Sequence, residues 1–172
     1  MRSLQMEQKP TKGEKMKERP SWHEYFMKMA RLAAERSTCI RRQVGAVLVR
    51  NNQVIASGFN GAPKHILHCD STGCLREQLN IPAGEKHELC RGVHAEQNTI
   101  IQAALNRSTL TDSVLYCTNY PCAICAKMII NAEIKIVYVL EQYPDNLAKE
   151  LFSEAGIEVL YVDMKNKSVV KM

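Results

Sequence analysis

The sequence predicts a three-layer α/β fold, with helices covering both faces of a mixed, five-stranded sheet. Three observations predict it. An early pair of short apolar runs is joined by a tight polar turn, the signal of an antiparallel hairpin. From residue 93 on, strand-like and helix-like segments alternate, which implies parallel connections. The 172 residues suit one domain able to bury a core without disulfides.

Residues 1–20 are rich in Lys, Glu, Gln and Pro, with hardly any apolar periodicity, and are expected to form a mobile arm. Ser21, with Glu24 three positions on, forms a capping box for a helix. Tyr25, Met29, Leu32 and Ala33 give that helix its apolar face. Val44–Val49 and Val54–Ser57 read as strands about an Asn51-Asn52 turn. From Asn60 to Gly92 the periodicity is lost and Gly, Pro, His and Cys become frequent, so residues 61–92 are expected to be an insertion loop with a function or a staple of its own.

Helical spacing resumes from His94 to about Leu105. A strand at Val114–Thr118, a helix from Cys122 to about Asn131 and a strand at Ile134–Leu140 follow. A helix over Asn146–Glu154, stopped by Gly156, leads to a last strand at Ile157–Val162. The domain is thus expected to span residues 21–163, with 164–172 a polar tail.

The net charge is +5, but six basic residues face three acidic ones in the first twenty, so +3 of it lies there. A nearly balanced remainder argues against a surface built for nucleic acid. No apolar run approaches membrane-spanning length and no secretory leader is evident, so a cytoplasmic protein without a membrane partner is expected. Seven cysteines, an odd number, suit metal ligands and reduced core thiols better than a disulfide framework. Cys39 and Cys117 read most simply as core residues.

Two stretches carry the chemistry: His94-Ala95-Glu96 and Pro121-Cys122-Ala123-Ile124-Cys125. One imidazole and two thiols are zinc ligands that leave a fourth tetrahedral position for water, as a catalytic site requires. Successive helical residues turn by about 100°, so His94 and Glu96 can approach one ion only at a helix start. Cys122 and Cys125 share a face just after Pro121, where a helix dipole favours thiolates. The alternatives, a redox CxxC pair or a structural zinc, leave Glu96 without a task. Cys69, Cys74, His87 and Cys90 have spacings that suit a second, structural Cys3His zinc stapling the loop. Against that stand free thiols, with His68 as a substitute ligand. Arg76, with Asp70, Glu77 and Glu88, is expected on the loop's outer, solvated face.

The stretch His94-Ala95-Glu96-Gln97-Asn98, together with Pro121-Cys122-Ala123-Ile124-Cys125-Ala126-Lys127, resembles the zinc-dependent cytidine and deoxycytidylate deaminases with their H-x-E and P-C-x-x-C signature. Val44-Gly45-Ala46-Val47, Gly58-Phe59-Asn60-Gly61-Ala62-Pro63 and Tyr143 fit the deoxycytidylate (dCMP) branch, and the resemblance covers roughly residues 22–163. It implies a cytidine-deaminase-like fold and hydrolysis of dCMP to dUMP and ammonia, upstream of dTMP synthesis. Zinc on His94, Cys122 and Cys125 would activate water, with Glu96 as the proton carrier. Asn60 would hold the sugar hydroxyl, the Ala95 N–H the ring carbonyl, and Tyr143 would lie near the nucleotide. Some dCMP deaminases carry a second zinc on an insertion at this place. Arg41 and Arg42, with Lys64 and Arg91 behind them, are candidates for the 5′-phosphate, each with a plain surface charge as its alternative. Relatives form homo-oligomers, commonly hexamers, and many respond to dCTP and dTTP. The rival readings are a deaminase of tRNA or other nucleobases, a free-cytidine deaminase, and an inactive zinc-binding assembly module of the same fold.

Overall fold

The computed structural model describes residues 18–82, 84–141 and 145–171. The expected arm lies almost wholly outside them, as does Tyr143. Helix α1 (Trp22–Ala34) starts as expected: the Ser21 hydroxyl accepts from the Glu24 N–H, and Glu24 accepts from the Ser21 N–H. Strands β1 (Gly45–Arg50) and β2 (Gln53–Phe59) flank Asn51 and Asn52, both at positive φ (51° and 58°), the conformation a type I′ hairpin needs. After the insertion come α2 (Cys69–Thr72), α3 (Leu75–Gln78), a 3₁₀ turn at His87–Leu89, and α4 (Ala95–Leu105). The second half runs β3 (Val114–Asn119), α5 (Ala123–Asn131), β4 (Ile136–Glu141), α6 (Asn146–Glu154), β5 (Glu158–Asp163) and β6 (Ser168–Lys171).

The sheet order is β2-β1-β3-β4-β5-β6. β1 is antiparallel to β2 and β3, β3–β4–β5 are parallel, and β6 is antiparallel to β5. Six strands rather than five corrects the expected sheet and removes part of the expected tail. The Asp163 carboxylate accepts from the backbone of Lys165 and Asn166 and from the Asn166 amide, which turns the chain back. All four β6 residues are exposed, so this edge strand carries no buried face to betray it in the sequence.

Period-two alternation divides the core between the faces. Ala46, Leu48, Leu115, Cys117, Val137 and Val139 point toward α4, α5 and α6. Val47, Val49, Tyr116 and Tyr138 point toward α1, where they meet Phe26, Met27 and Ala30. Two glycines set how closely the layers approach. A Cβ on Gly45 would fall onto the backbone of Ala30 and Ala34 in α1; one on Gly58 would meet Thr99 N and Ala95 O of α4 at 2.7 Å each. The Gly-Phe-Asn-Gly stretch therefore begins with a residue that lets α4 lie directly on β2.

Gly45→Ala is expected to lower stability by about 3 kcal/mol, because rigid backbone on both sides must part to admit one methyl group. Urea unfolding followed by circular dichroism measures this.

Candidate metal centre and active site

The start of α4 is fixed from three sides. His94 is its N-cap in extended conformation, and its N–H donates to Gln97 Oε1 (2.8 Å). The Asn98 amide donates to Phe59 O at the end of β2 (2.8 Å), and the Thr99 hydroxyl donates to Ala95 O (2.8 Å). The start of α5 is held by Asp145, whose Oδ2 accepts from the Ala123 N–H (2.7 Å) while Oδ1 accepts from Ala148 N–H (3.0 Å) at the start of α6. Cys122 is the N-cap of α5, also extended. The two helix starts converge as the sequence spacing requires.

His94 Nδ1 lies 3.5 Å from Cys122 Sγ and 3.4 Å from Cys125 Sγ. All three ligand atoms fall within 4.8 Å of one another, the one such group among the described residues. Zinc–sulfur bonds of about 2.3 Å and zinc–nitrogen bonds of about 2.0 Å at tetrahedral angles put S and N about 3.5 Å apart. The spacing fits zinc without rearrangement. Glu96 is only 4% exposed and belongs to the first turn of α4. Burial pushes its carboxyl up from the usual range, against the pull of His94.

Burial lowers His94, yet the hydrogen bond its ring donates to Cys122 Sγ and the charge of Glu96 outweigh it and leave the imidazole above its ordinary value. The hydrogen bond with Cys125 draws the Cys122 thiol down, and the same bond pushes Cys125 up. Zinc binds thiolates, so its uptake at this pair would be accompanied by loss of thiol protons.

A cavity of about 310 Å3 opens over this group, bounded by Asn60, Arg41, Arg42 and the insertion. Asn60 has a structural task there. Its Oδ1 accepts from Val44 N–H (2.8 Å) and Ser37 Oγ–H (2.6 Å), and its amide donates to Arg42 O (2.8 Å). One amide hydrogen remains for a ligand. The Ala95 N–H, first in its helix, has no partner within the helix. Arg41 lies within 3.8 Å of Glu77 and donates to Ile81 O (3.3 Å), whereas Arg42 is exposed.

The insertion departs from the expected grouping. His87 turns to the catalytic group, its ring edge-on to His94 with centroids 5.2 Å apart. Cys39, Cys69, Cys74, Cys90 and His87 line one cavity, and among the described residues only His94, Cys122 and Cys125 bring their ligand atoms within 4.8 Å of one another. Spacing along a loop without periodicity does not specify which way a side chain turns. Arg76 is likewise corrected: it is 8% exposed and lines the cavity, whereas Asp70, Glu77 and Glu88 do lie on the surface.

A mixed sheet carries an imidazole and two thiols at two helix starts, with a buried carboxylate beside them, a donor set that suits zinc. A family model described as the cytidine and deoxycytidylate deaminase zinc-binding region matches residues 20–141. The chain belongs to this family. The deoxycytidylate deaminase of Schizosaccharomyces pombe is 40% identical over 142 residues, 82% of this chain and 44% of that protein. ComE operon protein 2 of Bacillus subtilis is 40% identical over 158 residues, 87% and 79% of the two chains. The dCMP deaminase of cyanophage S-TIM5, solved in complex with dCMP and dUMP, superposes with a TM-score of 0.68 at 30% identity, over 84% of this chain and 98% of that one. The chain spans under half the length of its fission-yeast relative.

Zinc uptake by the metal-free protein is expected to release at least one proton, so affinity should rise from pH 6 to pH 8, and Cys125→Ser should weaken it at least tenfold. Competition against a chromophoric chelator at the two pH values checks both.

Proposed function

We propose that the chain catalyses the hydrolytic deamination of dCMP to dUMP and ammonia, supplying the precursor of dTMP. The observation that carries the reading is the buried Glu96 set against a His94-Cys122-Cys125 group of zinc dimensions, at the floor of a cavity of small-ligand size. The names of the relatives supply the substrate. Zinc, which His94, Cys122 and Cys125 would hold, would supply a water of lowered pKa at that floor. Glu96 takes a proton from that water and delivers it to the ring nitrogen N3 as the water oxygen bonds to C4. The remaining proton of the new C4 hydroxyl then passes by way of Glu96 to the amine, the C4–N bond breaks, and ammonia leaves a C4 carbonyl behind. The N–H of Ala95 orients the ring carbonyl, and the spare amide hydrogen of Asn60 reaches the sugar hydroxyl. Arg41, Arg42 and Tyr143 are proposed to face the nucleotide.

The proposal extends to a second, structural zinc on the insertion's Cys69, Cys74 and Cys90, which line the cavity together with His87 and Cys39 as the available fourth ligands. It also includes a homo-oligomer, with a hexamer as the family precedent, supported by the exposed Ile101, Leu105 and Ile124 of α4 and α5, and response to dCTP and dTTP. A cytoplasmic location accords with thiolate ligands, which need a reducing compartment. No helix among the described residues is long and apolar enough to cross a membrane.

Glu96→Gln is expected to keep its zinc and lose turnover of dCMP by at least a thousandfold, about 4 kcal/mol in barrier. Ammonia release together with metal analysis checks this, and residual activity within tenfold would overturn the role of Glu96. In the same assay deoxycytidine, CMP and a tRNA should react far more slowly than dCMP; silence with all four substrates would favour the inactive module. Metal analysis of the unaltered protein should give about two zinc ions per chain, falling to about one in Cys69→Ser.

A further inference from the structure

We propose that Arg76, from inside the insertion, is the residue that reads the 5′-phosphate of the nucleotide. The proposal rests on the dCMP reading of the site and assigns the part of it that Arg41 and Arg42 do not account for.

Arg76 belongs to the single turn α3 and is 8% exposed. Its Nη2 donates to Pro82 O at 2.8 Å, which anchors one edge of the guanidinium. Its Nε is buried without a hydrogen-bond partner among the described residues. The ion pairs found among those residues join Arg41 to Glu77, Lys167 to Glu18 and Lys171 to Glu158, so none neutralises Arg76. A guanidinium cannot shed its proton, and a buried, unpaired charge costs several kcal/mol. Such a group at the wall of an active-site cavity is a binding site for an anion.

The cavity identifies which anion. Arg76 lines it together with His87, His94, Glu96 and Cys122, the wall against which the proposed nucleotide lies. The one anionic group of dCMP is its phosphate. Arg42 and Arg91 are exposed, where solvent and salt screen them, and Arg41 is engaged by Glu77 and Ile81 O. Arg76 alone among the four combines burial, a fixed plane and unused donors, which suits two parallel N–H bonds to phosphate oxygens with little ordering left to do on binding.

The test compares substrates with and without the phosphate. For Arg76→Met the expected result is a fall of about a hundredfold in kcat/KM for dCMP, mostly in KM, with deoxycytidine changed less than twofold. Calorimetry should show dUMP losing affinity in parallel while deoxyuridine binding does not move. Arg76→Lys should recover part of the loss, because the charge remains and the planar fork does not. Zinc content and melting temperature report on folding. If the Met variant is unfolded, Arg76→Gln, which keeps an N–H for Pro82 O, carries the same comparison. Equal losses for dCMP and deoxycytidine, or no loss for either, would overturn the assignment. An unaltered protein that deaminates dCMP, with an unchanged dCMP-to-deoxycytidine ratio in the variants, would sink Arg76 and leave the deaminase standing. Arg76-dependent binding of dUMP by a protein that deaminates nothing would do the reverse.

Discussion

Everything chemical in this chain depends on two helices beginning at the same point. One demand follows at once: His94 must come within 3.5 Å of both Cys122 and Cys125 although it lies 28 positions and a strand before the first of them. The sheet resolves it. β2 and β3 flank β1 and end on the same edge; the Gly61–Val93 bridge returns the chain from the insertion to the end of β2, where α4 starts, and β3 leads directly to α5. Gly58 then removes the last obstacle, since any side chain there would lift α4 from β2 and carry His94 and Glu96 away from the thiols.

The metal group was legible in the sequence because ligand chemistry narrows the residue types and helix geometry narrows their positions. His94, Glu96, Cys122 and Cys125 admit one arrangement at two helix starts, and the structure has that arrangement. The elements were legible to within about two residues for the same kind of reason: buried faces repeat every two or every 3.6 positions. Where a segment buries nothing in a repeating way, the reading failed. β6 pairs through its backbone with every side chain in solvent. Leu75-Arg76-Glu77-Gln78 makes one turn, too short for periodicity to show that Arg76 faces inward while Glu77 faces out.

Asn60 shows a different limit. Its identity suits both a turn and a ligand contact, and the structure uses most of its capacity as a clip joining Ser37, Arg42 and Val44. That clip holds the 37–44 segment against the mouth of the cavity, so removing the amide would disturb the cavity wall whether or not the nucleotide touches it. Substitution at this position alone cannot separate binding from support.

Asp145 imposes a constraint of yet another sort. Both of its oxygens accept from backbone N–H groups, one at the head of α5 beside Cys122 and one at the head of α6. An ion at that place satisfies two donors with two acceptors. Its closest isostere, asparagine, has the same shape but only one acceptor, and whichever way the amide rotates it turns an N–H against an N–H. The position therefore discriminates by lone pairs rather than by size, and through it a residue outside the His94-Cys122-Cys125 group ties the Cys122 end of the site to a helix on the far side of a crossover.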